Sequence, residues 1–272
     1  MNPKEAAAFV GSIPEFYDQG LGPLIFVDYA DDIARRAAAL TPRRVLETAA
    51  GTGIVTRRLR DLLPPDSQLT ATDLNAPMLD FARKKFRTSE AVTFQPADAT
   101  ALPFPDGSFD VAVCQFGLMF YPDKAKSHRE IHRVLTPGGR YLVSVWDSHH
   151  YNAFARIAHD VVGRLFPANP PQFYKVPFSS NEIDPIKEGL IAAGFAGIDI
   201  AVMPLKKAVP DAAAFARGVV LGNPVVEEIR KRGGVTTDQV LEEVTQAYWR
   251  EFGADPGEMP LQAIVFGATK PK

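Results

Sequence analysis

The sequence has a single cysteine, no long apolar run and no marked excess of charge of either sign. Cys114 alone excludes an intrachain disulfide framework and a metal cluster of several cysteines, which agrees with a reducing compartment. No stretch approaches the roughly 18 apolar residues that cross a bilayer. The N-terminal segment is interrupted by Gly11, Pro14 and several charges, so it lacks the apolar core of a signal peptide. We therefore expect a cytoplasmic protein without a membrane span.

The charge balance argues against a polyanionic partner. Thirty Lys and Arg residues face 32 Asp and Glu residues, for a formal net charge of −2, and no basic block could follow a phosphate backbone. Apolar residues make up 46% of the 272 residues, which is ample for the core of one large α/β domain. We expect a small-molecule partner and no nucleic acid. The sequence leaves the oligomeric state open, with a homodimer among the alternatives.

Residues 40–147 alternate short apolar runs with helix-like stretches, a pattern typical of βα units and a mostly parallel sheet. The pattern predicts five strands, at 44–48, 68–73, 91–96, 109–116 and 140–146. It predicts helices between them at 53–63, 76–86 and 124–135, and the last of these ends before Pro137 and the two glycines that follow it.

The pattern loosens after residue 147, where 148–180 is rich in proline and aromatic residues. Ser179 and Glu182 predict a capping box that opens a helix to about Ala193, and Gly194 fits the position after its end. A sixth strand is predicted at 196–203, helices at 211–221 and 237–252, and a last apolar strand at 261–269 that must be buried in the sheet. We therefore predict one domain over 1–272, with a core at about 28–147, 182–203 and 261–269 and cap inserts at about 148–180 and 208–255.

A glycine-rich turn with acidic partners carries the sharpest functional signal. In the segment VLETAAGTG at 45–53, Gly51 and Gly53 allow the backbone to approach a ligand closely. Glu47 precedes the turn, Asp73 ends the second strand and Asp98 follows the third. Because the carboxyl ends of parallel strands meet at one crevice, we expect the three acids to face a common ligand.

Two classes of ligand fit this spacing. A nicotinamide-dependent oxidoreductase would use the turn to bind a pyrophosphate, but the run after Gly51 and Gly53 lacks the third small residue of that fingerprint. Glu47 would repel a diphosphate and suits a cation, such as the amino group of an amino-acid moiety. A nucleoside with an amino acid and no phosphate matches S-adenosylmethionine, and Asp73 can accept from both of its ribose hydroxyls. The oxidoreductase and a non-catalytic homologue that only binds the cofactor stay open as alternatives.

Four segments resemble, in order, the successive motifs of class I S-adenosylmethionine-dependent methyltransferases: VLETAAGTG, TDLNAPML, DATALPFPDGSFDVAVCQFGLMF and EIHRVLTPGGRYLVSVW. The resemblance covers about 40–147 and is closest to small-molecule enzymes of the ubiquinone/menaquinone C-methyltransferase type. It implies a Rossmann-like three-layer α/β sandwich with a seven-stranded, mostly parallel sheet, an antiparallel last strand and helical cap inserts.

The resemblance also assigns residues to the cofactor: Tyr17, Glu47, Ala49, Gly51, Gly53, Asp73, Leu74, Met78, Asp98, Ala99, Gln115 and Phe116. The residues between 47 and 53 would surround the methionine moiety, and Tyr17 would close over it. Asp73 would hold the ribose. The adenine would be contacted by Leu74, Met78, Asp98 and Ala99, and the methyl-donor pocket would be lined by Gln115 and Phe116. Ala49 replaces the first family glycine and Glu47 replaces the commoner aspartate, which we expect to shift the loop slightly.

Residues that act on the acceptor are harder to find in the sequence. Methyl transfer from a sulfonium needs alignment and exclusion of water, and it needs a base only if the acceptor must lose a proton. His149, His150 and Tyr151 follow the fifth strand and are the candidates for deprotonating or orienting the acceptor. His128 and His132 lie four residues apart but lack a third ligand, so we expect a surface position and no metal. The apolar inserts predict a small organic acceptor that is hydrophobic or aromatic.

Overall fold

The computed structural model describes residues 3–253 and 256–272. The strands of this part of the chain are β1 (Arg44–Glu47), β2 (Gln68–Asp73), β3 (Val92–Pro96), β4 (Phe109–Gln115), β5 (Leu135–Trp146), β6 (Ala196–Val209) and β7 (Gly257–Thr269). They form one seven-stranded sheet in the order β3-β2-β1-β4-β5-β7-β6. The Rossmann-like α/β class is therefore confirmed.

Helices surround the sheet and connect its strands. They are α1 (Pro3–Ala6), α2 (Ile13–Phe16), α3 (Val27–Ala38), α4 (Ile54–Leu62), α5 (Ala76–Arg83), α6 (Lys124–Val134), α7 (Ala153–Leu165), α8 (Ile183–Ala192), α9 (Ala212–Leu221), α10 (Val225–Arg232) and α11 (Thr237–Phe252). A π-helical segment, Tyr17–Phe26, joins α2 to α3, and short 3₁₀ helices lie at Leu118–Phe120 and Phe173–Lys175. None of the helices in the described part of the chain is both long and apolar enough to span a membrane.

The last strand lies inside the sheet and runs against its neighbours. β7 pairs antiparallel with both β5 and β6, whereas the other neighbouring pairs are parallel. Ala263 and Phe266 of β7 are fully buried, so the predicted burial and direction of the last strand are confirmed. The strand begins at Gly257, earlier than predicted, because β6 extends to Val209 and pairs with this added length.

The sheet separates two cores because successive strand residues point to opposite faces. Val45 packs in a core with side chains of α3 and α4, whereas Leu46 of the same strand packs in a larger core that includes α6 and the insert helices. These two packed faces give the three layers that the family resemblance implies.

The N-terminal segment and the two inserts pack on one another. A Cβ atom added to Gly20 of the π-helical segment would lie 2.6 Å from the Gly218 Cα of α9, so the two backbones are in direct contact. The Tyr248 hydroxyl of α11 donates to the Phe154 carbonyl of α7 at 2.9 Å. The first two residues of the predicted domain, and residues 254 and 255 of its second insert, lie outside the described residues.

The helix after residue 180 begins without a capping box, so the predicted capping box is wrong. Ser179 Oγ instead donates to the Val176 carbonyl at 2.8 Å, and α8 begins with no side-chain cap at Glu182. Its end follows the prediction, because Gly194 adopts φ +97° directly after the last turn.

The bounds of two insert helices, α7 and α10, are not among the predicted ones, and one strand begins early. Pro224 occupies the N-cap of α10, where its missing N–H costs no helical hydrogen bond, so a proline opens this helix. β5 begins at Leu135, directly after α6, because the glycine turn is absorbed as an irregularity in its pairing with β4.

The histidine pair of α6 is not fully on the surface as predicted, because His128 is buried and His132 is half-buried. His128 is 2% exposed and packs against Tyr141, with ring centroids 6.1 Å apart, while His132 packs against Phe195 at 5.1 Å. Burial lowers the pKa of His128 to about 4, so the imidazole is neutral at physiological pH. The surface prediction is wrong because this face of α6 packs towards α8 and β5. Across residues 3–253 and 256–272, no cluster of three or more His, Cys, Asp or Glu residues could hold a metal ion.

Candidate active site

The turn between β1 and α4 has a left-handed backbone at several positions. Gly51 has φ +56°, which glycine adopts without strain, whereas Ala49 has φ +53° in spite of its Cβ. The Gly51 N–H donates to Asp73 Oδ2 at 2.9 Å, which ties the turn to the end of β2. The loops after β1 and β2 are thereby held as one rim.

Asp73 is the buried acid of this rim. Its Oδ1 accepts from the Asn75 backbone N–H at 2.8 Å, in addition to the bond that Oδ2 receives from Gly51. The residue is 7% exposed, and this burial raises the pKa of its carboxyl group, while the N–H donors oppose the shift. The carboxylate is therefore fixed in position at the carboxyl end of β2.

A cavity of about 560 Å³, the main cavity, opens along the carboxyl ends of the strands. It brings together ten of the residues that the resemblance assigned to the cofactor: Tyr17, Ala49, Gly51, Asp73, Leu74, Met78, Asp98, Ala99, Gln115 and Phe116. The sequence analysis missed further lining residues, including Phe9 from the N-terminal segment and Tyr121 after β4.

Gly53 does not line the main cavity, in contrast to the expectation that it admits a ligand. It occupies the N-cap of α4 with φ +79°, and a Cβ atom at this position would lie 2.8 Å from the Ala82 Cβ of α5. Gly53 is therefore required for the close approach of two helices.

Glu47 lies behind the turn, in a small adjoining cavity of about 30 Å³ that Tyr17 and Gln115 also line. It is 2% exposed, and its Oε2 has no hydrogen-bond partner among the described residues. Gln115 donates through Nε2 to the Phe26 carbonyl at 3.3 Å, but its buried Oε1 is likewise without a partner in the described chain. Two buried acceptor oxygens thus stand without a donor at one end of the site.

The protonation of Glu47 follows from its surroundings. Burial raises the pKa of Glu47 from 4.5 to about 8; hydrogen bonding from Thr56 opposes this shift, and the nearby Asp73 carboxylate adds to it. In the unliganded protein at neutral pH, Glu47 is therefore mostly protonated. A cation beside it would favour the ionised form.

The loops after β1 and β4 meet through a glycine. A Cβ atom added to Gly117 would lie 2.4 Å from the Ala49 Cβ, so only glycine leaves room for the alanine methyl group. Phe116, which precedes it, has φ +51° and stacks on Trp146 with ring centroids 4.0 Å apart. Of the three non-glycine residues with a left-handed backbone in the described chain, two, Ala49 and Phe116, therefore line the main cavity.

Tyr121 links these loops through its hydroxyl group. The hydroxyl donates to Thr48 Oγ1 at 3.2 Å, and the Cys114 Sγ lies 3.4 Å from the Tyr121 hydroxyl oxygen. Cys114 is fully buried, as the sequence predicted, and its burial raises the pKa of the thiol. No periodic pattern or charge marks Tyr121 in the sequence, so its place in the cavity wall follows only from the fold.

A second, smaller space of about 50 Å³, the aromatic chamber, adjoins the main cavity. Its wall consists of Phe9, Tyr17, Leu21, Ile25, Phe26, Phe116, Phe120, Trp146, Phe154, Ala155, Phe173, Tyr174, Pro177, Phe178, Val219 and Asn223. None of these side chains is charged. Aromatic residues of the first insert and Val219 of the second therefore meet the N-terminal segment and the ends of β4 and β5 around one apolar space.

His149, His150 and Tyr151 line neither the main cavity nor the aromatic chamber. His149 is half-buried, with Nε2 2.9 Å from the Tyr174 carbonyl, and burial lowers the pKa of its imidazole. His150 and Tyr151 are exposed. The loop that carries them is held on β7, because Asn152 donates to the Gln262 carbonyl at 3.0 Å, so their role in acceptor binding stays a prediction.

Comparisons with known proteins agree with this architecture. A family described as a methyltransferase domain matches residues 46–143. The ubiquinone/menaquinone biosynthesis C-methyltransferase UbiE of Pseudomonas savastanoi is 35% identical over 169 residues, which cover 57% of this chain and 66% of that protein. The chain thus matches slightly less than two thirds of the length of this relative.

Two solved structures share the fold at low sequence identity. The YcgJ protein of Bacillus subtilis superimposes with a TM-score of 0.57 at 18% identity, covering 89% of this chain and 99% of that one. A phosphoethanolamine N-methyltransferase of Haemonchus contortus, solved with S-adenosylhomocysteine, gives 0.53 at 17% identity, covering 97% of this chain and 61% of that one. Residues 46–143 thus match a methyltransferase domain, and the chain is similar to UbiE in sequence and to methyltransferase structures in fold.

Proposed function

We propose that the protein binds S-adenosylmethionine in the main cavity and transfers its methyl group to a small, uncharged, apolar acceptor in the aromatic chamber. The observation that carries the proposal is the pair of unpartnered buried oxygens, Glu47 Oε2 and Gln115 Oε1, in the small cavity that adjoins the nucleoside-sized main cavity. An ammonium group is the donor that both oxygens lack, and an amino-acid moiety supplies one.

The rest of the cavity fits a nucleoside. Asp73, fixed at the end of β2, would accept from the ribose hydroxyls. Leu74 is 63% exposed at the cavity wall, and together with Met78 it would pack on the adenine, which removes this apolar side chain from water. Asp98 is oriented by the Thr100 N–H, which donates to its Oδ1 at 2.7 Å, and would accept from the exocyclic amine.

The acceptor site supports alignment chemistry more than acid–base chemistry. When bound, S-adenosylmethionine supplies a methyl group already activated by the positive sulfur, so the chain has to hold the two reactants in line and exclude water. The chamber wall contains no carboxylate and no histidine. Burial raises the pKa of Tyr17 and of Tyr174, so both phenols stay protonated at neutral pH. The acceptor must therefore present a nucleophile that needs no base from the chamber wall.

The inserts define the size and polarity of the acceptor. The aromatic chamber holds about 50 Å³ in this structure, so we infer that α9 and the 173–178 segment move outwards when an acceptor enters. The whole chain would then act as one domain, with a cofactor-binding core and two inserts that cover the acceptor. The name of the UbiE relative makes ring compounds of the quinone type, methylated at carbon, the first class to test.

Calorimetry tests the proposal directly. The protein should bind S-adenosylmethionine and S-adenosylhomocysteine, and it should add one methylene to at least one apolar ring compound in a mass-spectrometric screen. Tight binding of NADH without either sulfur nucleoside would support the oxidoreductase and contradict our proposal. Binding of the sulfur nucleosides without turnover on any acceptor would support a non-catalytic homologue.

A further inference from the structure

The main cavity and the aromatic chamber share four wall residues, and all four are aromatic: Phe9, Tyr17, Phe116 and Phe120. Phe9 packs edge-on against both Tyr17 and Phe120, with ring centroids 5.7 Å apart in each pair. Phe26 continues the cluster, because it stacks on Tyr17 at 4.9 Å and lies 5.8 Å from Phe116. The boundary between the two spaces is therefore a connected set of aromatic rings.

The proposed reaction places a positive charge at this boundary. In a direct displacement the methyl group passes from sulfur to acceptor in a line, so the two reactants would have to meet where the two spaces join, with the four shared rings around that point. As the electron pair of the acceptor forms the new bond to carbon, the pair of the breaking S–CH₃ bond returns to sulfur. The sulfonium thereby becomes a neutral thioether, and any proton displaced from the acceptor passes to water. The two forms of the methyl donor, sulfonium before transfer and thioether after it, consequently differ by one positive charge at the boundary.

The proposed function assigns the acids of the site to other parts of the ligand, although Asp73 and Asp18 lie close enough to Tyr17 to help raise its pKa. Asp73 and Asp98 line the main cavity but not the chamber, and Glu47 lies in the small adjoining cavity. None of the four shared residues carries a charge. A cation enclosed by aromatic side chains, and removed from water, gains binding energy from the negative potential of the ring faces.

We propose that Phe9, Tyr17, Phe116 and Phe120 form an aromatic cage that recognises the sulfonium and not the thioether. This inference rests on the proposed function, because it requires a sulfonium nucleoside in the main cavity. The cage gives the methyl donor binding energy that the demethylated product does not receive. Its four residues thus determine how strongly the protein distinguishes the two forms of the cofactor.

The ratio of the dissociation constants of S-adenosylhomocysteine and S-adenosylmethionine measures this discrimination. Phe120→Leu removes one ring at a half-buried position while keeping an apolar side chain of similar size. We expect it to weaken S-adenosylmethionine binding about tenfold, which corresponds to about 1.4 kcal/mol, and to change S-adenosylhomocysteine binding less than about twofold. Phe178→Leu is the matched control, since Phe178 lines only the chamber and should leave the ratio unchanged.

A second measurement needs no substitution. An analogue with a protonated amine in place of the methylsulfonium should bind the wild-type protein more tightly below the amine pKa than above it, whereas S-adenosylhomocysteine should show no such added dependence. The cage would be overturned if Phe120→Leu lost affinity equally for both natural ligands and the amine analogue bound equally well at both pH values. The proposed function would not be affected by that result. Failure of the wild-type protein to bind either natural ligand would contradict the proposed function itself.

Discussion

Glu47 is the group whose ionisation should couple most visibly to folding. It is 2% exposed, and burial, reinforced by the Asp73 carboxylate, raises its pKa from 4.5 to about 8. A carboxyl group whose pKa is higher in the folded chain contributes stability that is complete below the unfolded pKa and is lost as the pH rises through the folded one. The unliganded protein should therefore lose free energy of unfolding between pH 4.5 and about pH 8, and Glu47→Gln should abolish this loss.

The size of the effect follows from the interval between the two pKa values. Each pH unit corresponds to about 1.4 kcal/mol, so the interval from 4.5 to about 8 sets an upper limit of about 5 kcal/mol. Relaxation of the turn and entry of water reduce this limit, since buried sites respond as if the effective dielectric constant were about 20. We expect the difference in unfolding free energy between Glu47→Gln and wild type to change by about 1–3 kcal/mol between about pH 6 and about pH 8.5.

Urea denaturation of the unliganded proteins at the two pH values measures this difference, with the exposed Glu188→Gln as the control. The free energy of unfolding of Glu47→Gln should increase relative to that of wild type as the pH rises. Binding of S-adenosylhomocysteine should release protons from the wild-type protein but not from Glu47→Gln, because the ammonium group of the ligand favours ionised Glu47. Calorimetry in two buffers of different ionisation enthalpy detects this proton release. A difference between Glu47→Gln and wild type that is the same at both pH values would refute the reasoning.

Four further substitutions test the site and its frame. Asp73→Ala should weaken S-adenosylhomocysteine binding by about 1.5–3 kcal/mol in calorimetry, while the exposed Asp80→Ala should not. Gly117→Ala, whose Cβ would lie 2.4 Å from the Ala49 Cβ, should lower the free energy of unfolding by about 1–3 kcal/mol, and adding Ala49→Gly should recover part of it in a double-mutant cycle. Gly218→Ala should lower the melting temperature because its Cβ would lie 2.7 Å from the Gly20 carbonyl carbon, whereas Gly163→Ala, which meets nothing within 4 Å, should not. His150→Ala should leave turnover unchanged, since His150 is exposed outside both cavities; a slowed reaction would restore it as a base.

The parts of the site that the sequence predicts well are those governed by position on a strand. Asp73 and Gly51 lie at the ends of parallel strands, and the rule that such ends share one edge is enough to bring them together. The hydrogen bond from the Gly51 N–H to Asp73 Oδ2, at 2.9 Å, is a consequence of that rule. The last strand is predictable for a related reason, because so apolar a segment has to be buried between neighbours.

The parts that the sequence does not predict depend on contacts between distant segments. Phe9 meets Phe120 in the cavity wall, although more than a hundred residues separate them and no periodicity relates them. The position of His149 depends on a similar contact: proximity to the end of β5 suggests the ligand edge, but a fully buried Asn152 holds the loop on β7. Gly53 fits a ligand-binding pattern, yet the close approach of α5 determines its identity.

The strained backbone positions of the site lie on two different loops, after β1 and after β4, and the sequence motifs do not indicate this. Ala49 and Phe116 both adopt the left-handed conformation, at about 1–2 kcal/mol each for residues with a Cβ. The stacking of Phe116 on Trp146 and the bond between Gly51 and Asp73 hold the two loops in place against this cost. A glycine at position 49 would avoid this strain, but the alanine methyl group of this chain fills the space beside Gly117. The methyl group is accommodated because the residue that it faces on the opposite loop is a glycine.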